Sequence, residues 1–173
     1  MTAPTVSNQL EDWARRAGYA LTPRDETGAA VFWTDPGGEL RFFIRQDQNG
    51  WLTLSSSERG SAEQFELSAT SMAVISRYLW GLFGSDFRSR NGLPRLKTPT
   101  KIDALIPEYS LSDLTAEGVR TLSGPLGPTA TARGKLSSIS TLVELSHLLT
   151  SSIEDTRTSY ESGDGRPLFD VKA

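Results

Sequence analysis

Residues 51–96, WLTLSSSERGSAEQFELSATSMAVISRYLWGLFGSDFRSRNGLPRL, run two strand patterns straight into a helix with one apolar stripe. Trp51–Ser57 and Ala62–Leu67 suit a pleated surface, and Phe65 and Leu67 are expected to point the same way. Thr70 or Ser71 supplies an N-cap, and Met72, Ile75, Leu79, Leu82 and Phe83 recur at helical spacing. Gly84 is the expected stop. Such a helix must bury its stripe against the sheet that precedes it, which places the chain in the α+β class.

Upstream, Ala29–Thr34 and Glu39–Gln46 read as strands, with the hairpin-turn compositions DPGG and DQNG after them. Leu40, Phe42 and Ile44 alternate with Arg41 and Arg45, the pattern of an antiparallel strand with one face in the core. Phe43 breaks the polar face, so part of that face is expected to be covered too. Nearer the start, Ser7 caps a short helix carrying Leu10, Trp13, Ala14 and Ala17, closed by Gly18. Asp12 and Arg16 stand four apart on its outer side and are expected to pair.

Downstream, residues 86–108 show little periodicity and carry prolines at 94, 99 and 107, which reads as a long ordered excursion. Tyr109–Leu111, Val119–Leu122 and Thr129–Arg133 are further strands. A Ser-capped helix from about Ser138 to Ile153 then carries Leu142, Leu145, Leu149 and Ile153 on its apolar face. In the tail, Leu168, Phe169 and Val171 either dock as a last short strand or fray. The expected fold is α+β: mostly antiparallel sheet packed against two long helices plus a short N-terminal helix. The domain is expected to span residues 1–173, with a loose duplication of 19–85 by 108–155 as an open alternative.

Composition narrows the function classes. With 37% apolar and 23% charged residues, the chain is foldable rather than disordered. A net charge of −3 is too small to favour nucleic acid or an acidic membrane as the main partner. The lack of cysteine removes disulfide and thiolate chemistry and suits a reducing compartment. MTAPTVSNQLEDWARR carries no apolar signal segment, and no run nears the about 18 apolar residues of a membrane span. The expected location is cytoplasmic.

Motifs that carry chemistry are nearly absent. His147 is the one histidine, no G-x-S-x-G accompanies it, and a structural role is expected. One histidine without cysteine cannot build a zinc site. GPTATARGK, residues 127–135, departs from a phosphate loop in its glycine spacing, with Leu136 where a Mg²⁺-binding hydroxyl belongs. Asp47–Gly50 is a hairpin turn rather than a calcium loop. Glu11–Asp12 and Glu154–Asp155 are adjacent pairs that diverge on a helix. Arg88, Arg90, Arg95, Lys97 and Lys101 form a local basic run that either meets an acidic partner or pairs with nearby carboxylates. Trp51 and Trp80 suggest an aromatic hot spot, although packing of Trp80 against the sheet is the simpler expectation. No enzyme and no cofactor is expected.

QLEDWARRAGYALTP, GELRFFI, the NGW at 49–51, SERG at 57–60, FELSATSMAVISRYLWGLFG, FRSRNGLPRL and GRPLFDV resemble the immunity proteins of actinobacterial polymorphic-toxin systems. Within that family the chain resembles the immunity factors of a necrotizing NAD-glycohydrolase toxin. The resemblance runs nearly end to end. It implies a cytosolic protein, monomeric when free, that binds a cognate secreted toxin domain one to one and occludes its active site. Neither nucleic acid nor membrane is implied. The resemblance transfers no contact residues. From the loops themselves, the candidates are Asp35, Asp47 and Asn49 at hairpin tips, and Arg88, Arg90 and Asn91 after the central helix. Tip carboxylates would imitate nucleotide phosphates, or the arginines would clamp a toxin carboxylate. A chaperone or adaptor for a secretion substrate, which binds without inhibiting, and a small ligand-binding domain are the alternatives.

Overall fold

A computed structural model describes residues 3–34 and 39–173. In chain order the elements are α1 (Asn8–Arg16), β1 (Tyr19–Thr22), β2 (Ala30–Thr34), β3 (Leu40–Gln46), β4 (Leu52–Glu58), β5 (Gln64–Ala69) and α2 (Met72–Arg90). There follow β6 (Leu96–Lys97), a 3-10 turn at Ile102–Ala104, β7 (Ser110–Leu111), β8 (Val119–Gly124) and β9 (Gly127–Arg133). The chain closes with α3 (Ser137–Thr150), α4 (Ile153–Glu161) and β10 (Asp170–Val171). The class is α+β, as the sequence predicts.

Eight strands form one antiparallel sheet in the order β1-β2-β3-β4-β5-β9-β8-β7. The β5–β9 ladder joins the strands of the two halves of the chain. β10 pairs with β6, so the tail docks as a strand. One side of the sheet supplies Phe32, Phe42, Ile44, Leu54, Leu67, Leu122 and Ala130 to a core shared with Trp13 of α1, Ile75, Leu79 and Phe83 of α2, and Leu142 and Leu145 of α3. Phe83 is the pivot: its ring meets Tyr19, Phe32 and Phe42 at centroid distances of 4.7, 5.0 and 6.5 Å. Fully burying such a side chain contributes about 1.5–3 kcal/mol.

Gly84 does not stop α2, which runs on to Arg90. Arg77, Gly81, Gly84 and Arg88, spaced i, i+4, i+7 and i+11, share one face of the helix. A Cβ on Gly84 would sit 2.4 Å from Cγ of Tyr160, and one on Gly81 would sit 2.7 Å from Cδ1 of Leu148. The two glycines therefore admit the side chains of α3 and α4. At either end of this face an arginine caps a neighbour. Arg77 donates to the carbonyls of Leu148 (3.2 Å) and Ser151, which end α3. Arg88 donates to Ser159 (3.3 Å), Tyr160 (3.0 Å), Ser162 (2.5 Å) and Gly163 (3.3 Å), which end α4, and to Pro94 (2.7 Å). The last carbonyls of a helix lack partners of their own and carry partial negative charge, so a guanidinium suits both needs.

The helix expected from Ser138 to Ile153 is two helices. α3 ends at Thr150, and Ser152, in extended geometry, caps α4 by accepting from Asp155 N at 3.0 Å. The residue that caps α3 is Leu136, without a side-chain bond, rather than a serine. On α1 the expected Asp12–Arg16 pair is replaced. Arg15 takes Asp12 (2.8 Å) and Glu11 (3.4 Å), while Arg16 reaches Glu161 of α4 (2.5 Å). Phe65 and Leu67 point to opposite sides. A bulge in the β4–β5 register pairs Leu54 with Leu67 and Ser55 with Phe65, which shifts Phe65 out of the core.

Candidate partner-binding surface

The side of the sheet away from the helices has its own composition. Strand register lays it out in rows: Trp33, Arg41 and Ser57; then Val31, Phe43, Ser55 and Phe65; then Arg45, Thr53, Ser68 and Thr131. Trp33, Phe43 and Phe65 are half-buried and lie outside the core cluster. Arg133 stacks over Phe65, 4.3 Å from the ring centroid, and Arg45 over Phe43 at 4.9 Å. Ser55 and Ser57 are only 8% and 6% exposed, although no helix covers them among the described residues. Ser55 lies between Phe43 and Phe65, and Ser57 lies beside Arg41 with its hydroxyl donated to Ser61 O in the β4–β5 turn (2.6 Å), so the small side chains of β4 floor a trough. Part of this face was expected to be covered, and Val31, Ser55 and Ser57 are buried on it, by neighbouring strands and turns rather than by a helix. Phe43 stays half-buried under Arg45 and forms a wall of this trough.

One carboxylate already sits here. Glu63 accepts from Arg45 Nη1 at 2.6 Å and Nη2 at 3.0 Å, and from the Ser55 hydroxyl. The Arg45 bond holds its pKa below the usual carboxylate value, against a weaker upward push from burial.

On the helix side, a groove of about 610 Å³ lies between α2 and the 92–98 segment, and a second of about 310 Å³ runs on between α2 and α3. Both are bordered by Asp86 and Glu144, with Arg95 and Lys172 in the larger one. Burial raises the pKa of Asp86, opposed by a 2.6 Å bond from the Tyr19 hydroxyl, and burial raises that of Glu144 as well. Charges of both signs line this groove.

The sequence-derived candidates are scattered. Arg88 is 2% exposed and spends its guanidinium on backbone carbonyls, so it offers nothing to a partner. Arg90 is exposed and packs over Gly18, where a Cβ would meet its Nη1 at 2.6 Å. Asn91 caps α2, donating to Phe87 O at 2.8 Å. Asp47 turns a carboxylate oxygen into its own turn, accepting from Asn49 N (2.8 Å) and Trp51 N (3.0 Å), and Asn49 is exposed beside it. Asp35 lies outside the described residues. His147 holds the 3-10 turn, its Nε2 2.7 Å from Ala104 O. Trp80 packs against α1 rather than the sheet, stacked on Trp13 at 5.0 Å and accepting its indole N–H at 3.0 Å.

Residues 13–168 match the family profile of Immunity protein 61. The chain belongs to the Immunity protein 61 family. It is 37% identical over 168 residues to the immunity factor for TNT of Mycobacterium tuberculosis, covering 95% of this chain and 92% of that protein. The homolog of that factor in Mycobacterium bovis matches to the same extent. The solved structure of Rv3902c from M. tuberculosis superposes with a TM-score of 0.86 at 36% identity, over 96% of this chain and 94% of that one. An immunity protein works through its surface. The open face of the sheet is the part that sequence reading left unassigned, and Phe43 between Arg41 and Arg45 was the signal for it.

Proposed function

We propose that this immunity protein binds a cognate secreted toxin domain, an NAD-glycohydrolase, as a one-to-one complex and blocks its active site. It acts as a cytoplasmic monomer and performs no chemistry itself. Near full-length similarity to immunity factors for TNT carries this reading. The rigid sheet, with one side locked to helices and the other left open, supports it, because a stoichiometric inhibitor needs a preorganised surface more than a pocket. Asn49 remains exposed enough to join such a contact, whereas Arg90 lies over Gly18 and Asn91 caps α2.

The test is titration of the purified protein against the toxin domain encoded beside its gene, with NAD hydrolysis as readout. Activity should fall linearly and vanish at one equivalent. A complex that forms while hydrolysis continues would point to an adaptor, and no complex at all would overturn the proposal.

A further inference from the structure

We infer that the trough along β4 is the surface that receives the toxin, and that what it receives is an acidic segment of that domain. The inference rests on the proposed toxin binding and adds where contact occurs and the chemistry it selects. Arg41, Arg45 and Arg133 stand on this face. Of the two carboxylates near them among the described residues, Glu63 is already held by Arg45 and Ser55, and Asp25 lies in the turn that Arg45 reaches through Thr27. Arg133 has no carboxylate within ion-pair distance among the described residues. The face therefore holds cation in excess on a protein of net charge −3, which distinguishes it from the molecule as a whole.

Its own Glu63 displays the mode of capture, a carboxylate between a guanidinium and a serine hydroxyl. Stacking of Arg133 on Phe65 and Arg45 on Phe43 limits the motion of both guanidinium groups before a partner arrives, which lowers the entropy lost on binding. β3 and β5 stand two strand spacings apart, about 10 Å, the width of one extended segment with its side chains or of one helix. Aromatic and arginine side chains around small, shielded residues are the composition of interface hot spots.

The experiment measures affinity for the toxin domain and inhibition of NAD hydrolysis in three forms of the full chain. These are the wild type, an Arg41→Glu/Arg133→Glu double variant, and an Arg90→Glu/Asn91→Asp double variant at the end of α2. Phe65→Ala is added as a variant that removes no charge, and thermal unfolding confirms that each form folds. The face variants should each lose about 30-fold or more in affinity, and the α2 variant less than about threefold. Wild-type binding with unchanged affinity in the face variants would overturn this inference and leave toxin neutralisation standing. Failure of the wild type to bind would remove both. A single-stranded oligonucleotide that bound the trough in place of the toxin domain would reassign the face to nucleic acid and overturn the inference.

Discussion

On the helix side of the sheet, Arg77 and Arg88 end inside the protein on the last carbonyls of α3 and α4; on the open side, Arg41 and Arg133 are exposed. The residue type is the same and the surroundings decide its work. Beneath Arg77 and Arg88 lie helix ends with unsatisfied carbonyls, so each guanidinium is consumed by the fold. Beneath Arg133 lies an aromatic ring, which orients the cation without neutralising it. An arginine-rich segment is thus no guide to a binding surface until its acceptors are known.

The contrast is broken most directly by removing one arginine from each side. Arg88→Met strands the carbonyls that end α4 and should cost about 3 kcal/mol or more, because each buried acceptor left without a donor costs about 1–3 kcal/mol. For a chain of this length that lowers the melting temperature by about 6–12 °C. Arg133→Met should change stability by less than about 0.5 kcal/mol. Similar losses in the two unfolding curves would mean that the two sides are not as different as their geometry indicates.

Gly84→Ala tests the same face of α2 with an effect of opposite sign to that at an exposed site. On a solvated helix face alanine gains about 1 kcal/mol over glycine. Here the added methyl would meet the Tyr160 ring at 2.4 Å, so a net loss of about 1–3 kcal/mol is expected in chemical denaturation. Adding Tyr160→Leu should recover part of the Gly84→Ala loss in a double-mutant cycle, since the two changes share one contact. A stabilised Gly84→Ala would refute the close approach of α2 and α4.

Much of the layer structure is legible in the sequence, because strand alternation and helix spacing are local properties. FELSATSMAVISRYLW gives β5, the cap Ser71 and the start of α2 from neighbouring residues alone. The errors occur where a distant element decides. Gly84 reads as a stop until Tyr160, brought alongside by α4, requires the space. Arg88 reads as a surface cation because its acceptors lie more than 65 residues on, Pro94 apart. Phe65 reads as core because a bulge cannot be seen in one strand without its partner. β1 escaped because YALT is short, and only its pairing with β2 makes it a strand. The candidate surface is divided in the same way. The exposed turns were visible from their compositions, whereas the trough exists only once register sets Phe43, Ser55 and Phe65 in one row.

The smallest expected effect compares acidic groups of the two sides by pH. Glu63, on the open side, has a lowered pKa through its bond to Arg45. Its contribution is therefore present in full above the unfolded value of about 4.3 and is lost as pH falls through the folded pKa. Glu144, on the helix side, has a raised pKa through burial, so its charged form opposes folding at neutral pH and that opposition is relieved on acidification. Glu63→Gln should lower the neutral melting temperature by up to about 2 °C and flatten the acid limb of the profile, the shift being small because the pair is partly solvated. Glu144→Gln should leave it equal or higher by a similar amount. Melting curves from pH 4 to 8 on both variants check the two signs. A fall for Glu144→Gln at neutral pH would show that Thr98 and Lys172 outweigh burial there, and would make that carboxylate a structural anchor of the groove.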